Sequence, residues 1–477
     1  MNAHFEPSKT RHFAFVALAL VTSACATLIG TDFEGRPRQT AATDAGDADL
    51  DHPDVDSRDG GENDGGDLPP PDTSCGEAWT LKTKNDPSCA KRTSVTLDSF
   101  DTLDAQRVSI AATSAGRVGI ATDNTIDVDQ SEMLLGHFVP DKPGFNVSLL
   151  RRRPTLALYK WGYRTKVVAS GTDTLGVASF DVDATSDSGN IVFVEHAAGA
   201  SSFTTPELVA ESVGSVHAQL DAVSDGAGTV YVAFLAHTGP DAANVTARGR
   251  TPGGTFKAWG DIVTSLYLGA TAPSTVGAVS LSLLPSGIPQ ALVHAAQGVN
   301  STPAYATYAG PGWTGPCNLA NEQNNGVFGR DPRTASQADT KFATYFGQEA
   351  NQPAGSKQDV LTLATWQADC KAVTIETIDA IPASSNAHAA MAVDRFGLVH
   401  LVWTSPDTPQ SCTLHYRRQV RDGKGTVSWL DDVIDDAAVT TASQATLIDI
   451  VVDIHARPHI AYITSDGHVH YATRYDR

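Results

Sequence analysis

VDRFGLVHLVW, Val393 to Trp403, returns near the end of the chain as VDIHARPHIAY, Val452 to Tyr462. Each copy is an apolar run, a tight polar turn with Gly or a small residue, and a second apolar run, the pattern of a β-hairpin. Looser copies are ATSAGRVGIAT (Ala112 to Thr122), SDGAGTVYVAF (Ser224 to Phe234) and LLPSGIPQALVH (Leu283 to His294). A hairpin that recurs over several hundred residues marks one supersecondary unit stacked on itself. Two more strands follow each hairpin. The third is aromatic-rich: TLALYKW (Thr155 to Trp161), AYATYAG (Ala304 to Gly310), LTLATW (Leu361 to Trp366), TLHYRR (Thr413 to Arg418) and HVHYATR (His468 to Arg474). The fourth mixes β-branched and acidic residues: TKVVAS (Thr165 to Ser170), ELVAES (Glu207 to Ser212), AWGDIV (Ala258 to Val263), KAVTIETI (Lys371 to Ile378) and WLDDVI (Trp429 to Ile434).

Hairpin turns fall at Gly116, Gly189, Gly228, Gly287, a degraded copy near Phe342 to Gly347, Gly397 and Ala456. Seven four-stranded units predict an all-β fold, a seven-bladed β-propeller, with six or eight blades as the alternatives. The long interval between the first two turns predicts an insertion near 125–153. After its last hairpin and third strand the chain reaches Arg477 without a fourth strand, whereas SVTLDSF, Ser94 to Phe100, is a fourth strand with no blade before it. Cys89 precedes Gly116 by the same interval as Cys370 precedes Gly397, so the leading segment has the register of an outer strand. It is expected to complete the last blade, which removes an open sheet edge.

Ahead of the repeats, Lys9, Arg11 and His12 precede a short apolar run, Phe13 to Val21, the layout of an export signal over residues 1–24. Thr22-Ser23-Ala24-Cys25 resembles a bacterial lipobox, which implies cleavage before Cys25 and its lipidation. Ala26, rather than Asp, implies outer-membrane localisation by the sorting rule of such lipoproteins. Residues 25–73 then form an acidic tether with almost nothing to bury. It carries about half of the net charge of −20. Its Asp spacing lacks the fixed turn and terminal bidentate acid of a calcium loop. The propeller is assigned to 74–477. No basic stripe with interleaved aromatics occurs, which argues against a nucleic-acid partner. Cys75 and Cys89 are the first disulfide candidates, and Cys317, Cys370 and Cys412 leave one bond and one spare thiol.

The series of apolar hairpin, L-x-Y-A-like strand and W-x-x-x-V-I-like outer strand resembles exported bacterial propellers with sialidase-like or BNR-type repeats, from Cys89 to Arg477. The resemblance is architectural. The sialidase Asp box, S-x-D-x-G-x-x-x-W, is absent, and Ser186-Asp187-Ser188-Gly189 lacks its aromatic and spacing. This fold hosts many unrelated functions.

In a propeller the start of each first strand and the end of each second strand converge on the funnel mouth. That rule makes Arg107, Glu195, His196, His217, His294 and His388 the candidate rim residues, with Asp123 and His237 beside them. His196 (VEHAAG) and His294 (LVHAAQG) read as one repeat position. His400 and His459 read as packing histidines in matching blades. Asp181, Asp183 and Asp187 read as turn residues, and Arg151 to Arg153 as a solvated charge run. No nucleophile elbow, P-loop, dinucleotide fingerprint or metal spacing appears, so no catalytic residue, metal or other cofactor is assigned. The expected function is an anchored recognition or scaffolding propeller for an envelope or extracellular protein or glycan. The alternative is an exported polysaccharide-active hydrolase or lyase.

Overall fold

The repeat has a local cause. In the computed structural model of the chain, Oδ1 of Asp394 accepts the amides of Phe396 and Leu398 at 2.8 and 2.9 Å, and Oδ1 of Asp453 accepts those of His455 and Arg457 at the same distances. Asp225 holds its own turn in this way. An Asp side chain that satisfies two turn amides fixes the hairpin before any packing occurs. The residue three places on takes a positive φ, +79° at Gly397 and +62° at Ala456, where alanine is strained.

The structure describes residues 95–96, 108–127, 130–139, 146–154, 165–182, 188–214, 220–239, 242–267, 279–297, 300–314, 317–319, 330–348, 358–367, 372–382, 387–408, 411–435, 448–464 and 468–473. They contain no helix. The proposed signal, tether and lipidation site, with Cys75 and Cys89, lie outside them.

After β1 (Val95–Thr96), blade 1 is β2 (Val108–Ala112), β3 (Val118–Asp127), β4 (Gln130–Phe138) and β5 (Asn146–Pro154). Blade 2 is β6 (Thr165–Gly171), β7 (Thr174–Val182), β8 (Ser188–Ala197) and β9 (Glu207–Gly214). Blade 3 is β10 (Leu220–Ser224), β11 (Val230–Gly239), β12 (Ala242–Arg250) and β13 (Lys257–Tyr267). Blade 4 is β14 (Val279–Leu283), β15 (Pro289–Gln297), β16 (Asn300–Thr307) and β17 (Cys317–Asn318). Blade 5 is β18 (Arg330–Gln337), β19 (Thr340–Gln348), β20 (Gln358–Trp366) and β21 (Thr374–Pro382). Blade 6 is β22 (Ala389–Val393), β23 (Val399–Thr408), β24 (Ser411–Arg421) and β25 (Val427–Asp435), and blade 7 is β26 (Ile448–Val452), β27 (Pro458–Ile463) and β28 (Val469–Thr473) closed by β1.

Every blade is a four-stranded antiparallel meander, and the seven first strands neighbour one another in a closed cycle. Closure is as expected: Val95 pairs with Tyr471 and Thr96 with His470. Apolar clusters fill the seams between successive blades, such as Ile448, Ile450 and Ile460 of blade 7 against Val402, Leu414 and Tyr416 of blade 6.

Blade 2 corrects the sequence reading. The expected insertion near 125–153 is not one: its described residues 125–127, 130–138 and 146–153 belong to the second, third and fourth strands of blade 1. Thr165 to Ser170, read as an outer strand, lies in the first strand of blade 2, and Gly189 lies within its third. The first hairpin of blade 2 closes from Gly171 to Thr174. That turn is too short for the Asp-x-x-Gly signature, so the pattern matched the later Asp187-Ser188-Gly189 instead. Of the cysteines left open, Cys317 is disulfide-bonded and Cys412 is a buried thiol.

The second register position of each first strand is Ser109, Lys166, Asp221, Ser280, Arg333, Ala390 and Asp449, polar apart from Ala390, which packs between blades 6 and 7. These strands have no partner on their inner edge, and the ring supplies acceptors across the seams. Asp449 takes the amide of Ile110 at 3.1 Å, Ser109 that of Val167 at 3.2 Å, Asp221 that of Leu281 at 2.7 Å and Ser280 that of Thr334 at 3.1 Å. Lys166 Nζ stands 2.9 Å from Asp449 and 3.8 Å from Asp221, joining blades 2, 3 and 7.

Candidate functional site

The rim residues read from sequence do not form one site. Arg107 and His217 lie outside the described residues. His388 precedes β22; its amide donates to Thr404 Oγ1 and its carbonyl accepts the Thr404 amide, each at 2.9 Å. His294 is buried on β15, a second strand, whereas Glu195 and His196 sit on β8, a third strand. The ends of second and third strands lie on opposite faces, so Glu195 and His196 belong to the face that carries the hairpin turns. The blade 2 slip caused that misplacement. Asp123 and His237 lie on second strands, as read.

His400 and His459 are the packing residues expected. Nδ1 of each meets a tyrosine hydroxyl, Tyr416 at 2.6 Å and Tyr471 at 2.7 Å, while Nε2 faces the turn aspartates Asp394 and Asp453. Burial alone would raise the Asp453 carboxyl. The His459 contact, Arg457 and the turn amide outweigh burial and hold it well below the usual carboxylate range. No metal-binding group of three or more His, Cys, Asp or Glu side chains occurs among the described residues.

At the seam of blades 1 and 2, Arg117 follows the first hairpin turn and is buried. Its Nη1 donates to the carbonyls of Asp173 and His196 at 3.2 and 2.9 Å, and its Nη2 donates to His196 Nδ1 at 2.8 Å. A guanidinium has only donors, so Nδ1 must accept and the proton sits on Nε2. That nitrogen lies 3.4 Å from Ser148 Oγ and points a donor at it. The imidazole cannot take the serine proton, so the trio is no nucleophilic triad. The His137 ring meets that of His196 at 4.7 Å between centroids, tilted by 41°. Burial, Arg117 and His196 pull its pKa down to about 4, and burial with Arg117 lowers that of His196.

This seam predicts acid sensitivity. A histidine whose folded pKa lies below its unfolded value of about 6.5 contributes stability that is lost as pH falls from there to the folded value. Discounted for partial exposure, His137 is expected to cost about 1 kcal/mol between pH 6.5 and 4. Urea midpoints across that window should flatten in His137→Gln. The turn aspartates add their loss only below about pH 4, where the unfolded carboxylates take up protons.

At the seam of blades 2 and 3, Arg250 binds both Glu207, at 2.7 Å, and Glu195, with its guanidinium 4.6 Å from the Phe193 ring centroid. The two carboxylates share one cation.

The seam of blades 3 and 4 differs. Four aromatic rings contact one another in succession: Tyr231 meets Trp259 edge-on at 4.7 Å, Trp259 meets Tyr308 at 4.3 Å with a 40° tilt, and Tyr308 meets Trp313 edge-on at 5.7 Å. Tyr231 is buried, and the other three are partly exposed on the turn-bearing face. Several local features build this line. A β-bulge between the pairs Ala247–Gly260 and Arg248–Ala258 leaves Trp259 as the extra residue. Bulges re-aim side chains. Gly249 leaves the space: a Cβ there would lie 2.8 Å from Trp259 Nε1 and 2.9 Å from Tyr231 Cδ1. The turn from Tyr308 to Trp313 is fixed by a bridge between those two residues and by the Tyr308 hydroxyl donating to the Gly310 carbonyl at 2.6 Å. Sequence reading counted Tyr308 and Trp259 only as strand residues. The proximity of Gly-Pro-Gly-Trp to an aromatic strand end was the available signal.

Neither a protein-family model nor a curated protein matches the chain. Solved propellers do. An α-L-arabinofuranosidase of Fusarium graminearum is 10% identical over 83% of this chain and 96% of its own, with a TM-score of 0.43. The polysaccharide lyase Uly1 is 10% identical over 85% and 98%, with a TM-score of 0.46. The NanB sialidase of Streptococcus pneumoniae is 8% identical over 78% and 68%, with a TM-score of 0.39. At these identities the likeness is one of fold alone.

Proposed function

We propose that this protein is an envelope lipoprotein, anchored through Cys25 in the outer membrane, whose propeller holds a carbohydrate polymer at the seam of blades 3 and 4. The observation that carries the ligand class is the preformed line of Trp259, Tyr308 and Trp313. Rigid aromatic faces offer large apolar area at little entropic cost, and they match the C–H faces of pyranose rings. Holding is preferred to cleavage because the acid–base groups nearby are committed elsewhere. Arg117 sets the His196 tautomer, and Arg250 engages Glu195 and Glu207 together.

Affinity electrophoresis of the full chain in gels containing neutral and acidic polysaccharides tests this reading. Retardation by at least one polymer is expected, with Trp259→Ala weakening it about tenfold or more. Equal mobility in every gel would sink the proposal. New reducing ends would replace holding by hydrolysis, and an unsaturated ultraviolet chromophore would replace it by elimination. For the anchor, Cys25→Ser is expected to move the protein from the membrane to the soluble fraction; continued retention would remove lipidation from the proposal.

A further inference from the structure

We propose that the seam of blades 4 and 5 is an oxyanion site, taking a carboxylate or sulfate group on Lys341. It rests in part on the carbohydrate reading above: there the group is carried by an acidic sugar of the polymer.

Lys341 is the second residue of β19 and only 6% exposed. Strand alternation sets its direction. Phe342 and Phe346 pack with blade 6, whereas Ala343 and Tyr345 pack with Leu292 and Tyr305 of blade 4. Lys341 therefore enters the blade 4 seam near its turn-bearing end. It makes no ion pair or hydrogen bond among the described residues.

Its surroundings repeat the deficit. Directly across on β20 is Trp366, 2% exposed, whose indole N–H is buried without an acceptor. The Trp366 ring meets Tyr305 of blade 4 edge-on at 4.8 Å. From blade 4, Gln290 is wholly buried on the face it shares with Leu292, and neither of its amide atoms has a partner. Thr307, paired with Gln290, spends its hydroxyl proton on Tyr305 at 3.1 Å. An ammonium at the tip of a largely buried side chain, without an ion pair among the described residues, thus shares one end of one seam with a covered indole N–H and a covered carboxamide that have no partners.

Buried polar groups are normally satisfied, so the indole and the carboxamide call for partners at this end of the seam. A water would answer the indole and the amide but leave the ammonium unneutralised. A metal ion would be repelled. An oxyanion answers the three donors at once: it neutralises Lys341 and accepts from the Trp366 indole and the Gln290 amide N–H, leaving Gln290 Oε1 free to accept from the ammonium. The turn of blade 4 from Tyr308 to Trp313 carries the last two rings of the aromatic series and follows Thr307, the strand partner of Gln290. A chain crossing that turn would set a sugar face on the rings and an acid on Lys341.

The test is thermal unfolding of the full chain, with and without sulfate at constant ionic strength, and affinity electrophoresis in polygalacturonate and in a neutral galactan. Without sulfate, Lys341→Met is expected to keep or raise Tm, because an unanswered cation is removed. Sulfate is expected to raise the wild-type Tm more than that of Lys341→Met, and polygalacturonate binding should weaken at least tenfold in the variant. A lower Tm for Lys341→Met without sulfate, or equal sulfate shifts in both proteins, would overturn the site. A sulfate response tied to Lys341 without binding of either polymer leaves the oxyanion site standing for a free anion and removes the carbohydrate reading. Binding of galactan that needs Trp259 and ignores Lys341, with equal sulfate shifts, does the reverse.

Discussion

Lys166→Met is expected to lower the stability of the propeller by about 3 kcal/mol, within the range for removing one partner of a largely buried ion pair. The lysine reaches across the axis to Asp449 and Asp221, which also accept backbone amides from the next blades. Burial would lower the Lys166 pKa, but Asp449 and Asp221 outweigh it and the net shift is upward. For Asp221 burial wins over Lys166 and the carboxyl is raised. Methionine keeps the stem and removes the charge, leaving two covered carboxylates facing each other. Urea unfolding at neutral pH should show the drop, and adding Asp221→Asn and Asp449→Asn should recover much of it. An unchanged midpoint in Lys166→Met would mean that the axial charges are solvated rather than joined.

Gly176→Val is expected to destabilise by about 3 kcal/mol, the upper part of the range for overpacking a core. A Cβ at Gly176 would lie 2.2 Å from Cζ and 2.9 Å from Cε2 of Phe193. That ring has nowhere to go. It is buried, Arg250 covers it, and Phe256 meets it edge-on at 5.6 Å. Moving the ring would disturb the cation that holds Glu195 and Glu207. Gly119 is the milder comparison, because its nearest atoms are the terminal methyls of Leu175. Thermal unfolding of Gly176→Val alone and with Phe193→Ala checks the cause. The double variant should lose less than the sum of the two, since the smaller side chain relieves the overlap.

The contrast between blades 2 and 7 shows what the sequence could reveal. Blade 7 was legible, including its borrowed strand, because Asp453 fixes its turn through neighbours two and four residues away. Blade 2 was not, because the turn after Gly171 needs no such aspartate and leaves no mark. One misplaced turn then moved Glu195 and His196 to the wrong face. The aromatic line escaped for another reason. At Trp259 a bulge breaks the strict alternation on which strand reading depends, so its side is set by one extra residue and not by periodicity. Lys341 was invisible in principle: a missing partner is a property of the assembled seam, and no pattern in the chain encodes it.

The pairing of Val95 with Tyr471 also sets a timetable. Hairpins inside a blade can form within microseconds of emerging, and each needs only its own neighbours. The final joint must wait for residues at opposite limits of the propeller. Its entropic burden is modest, since each doubling of loop length adds only about 0.6 kcal/mol. The delay matters more. A nascent molecule passes through a state in which six wedges are complete and the seventh presents a raw edge, ready to accept a strand from any other molecule. An open edge of this kind templates pairing between molecules, so the lifetime of the unclosed ring sets how long the chain is exposed to that hazard.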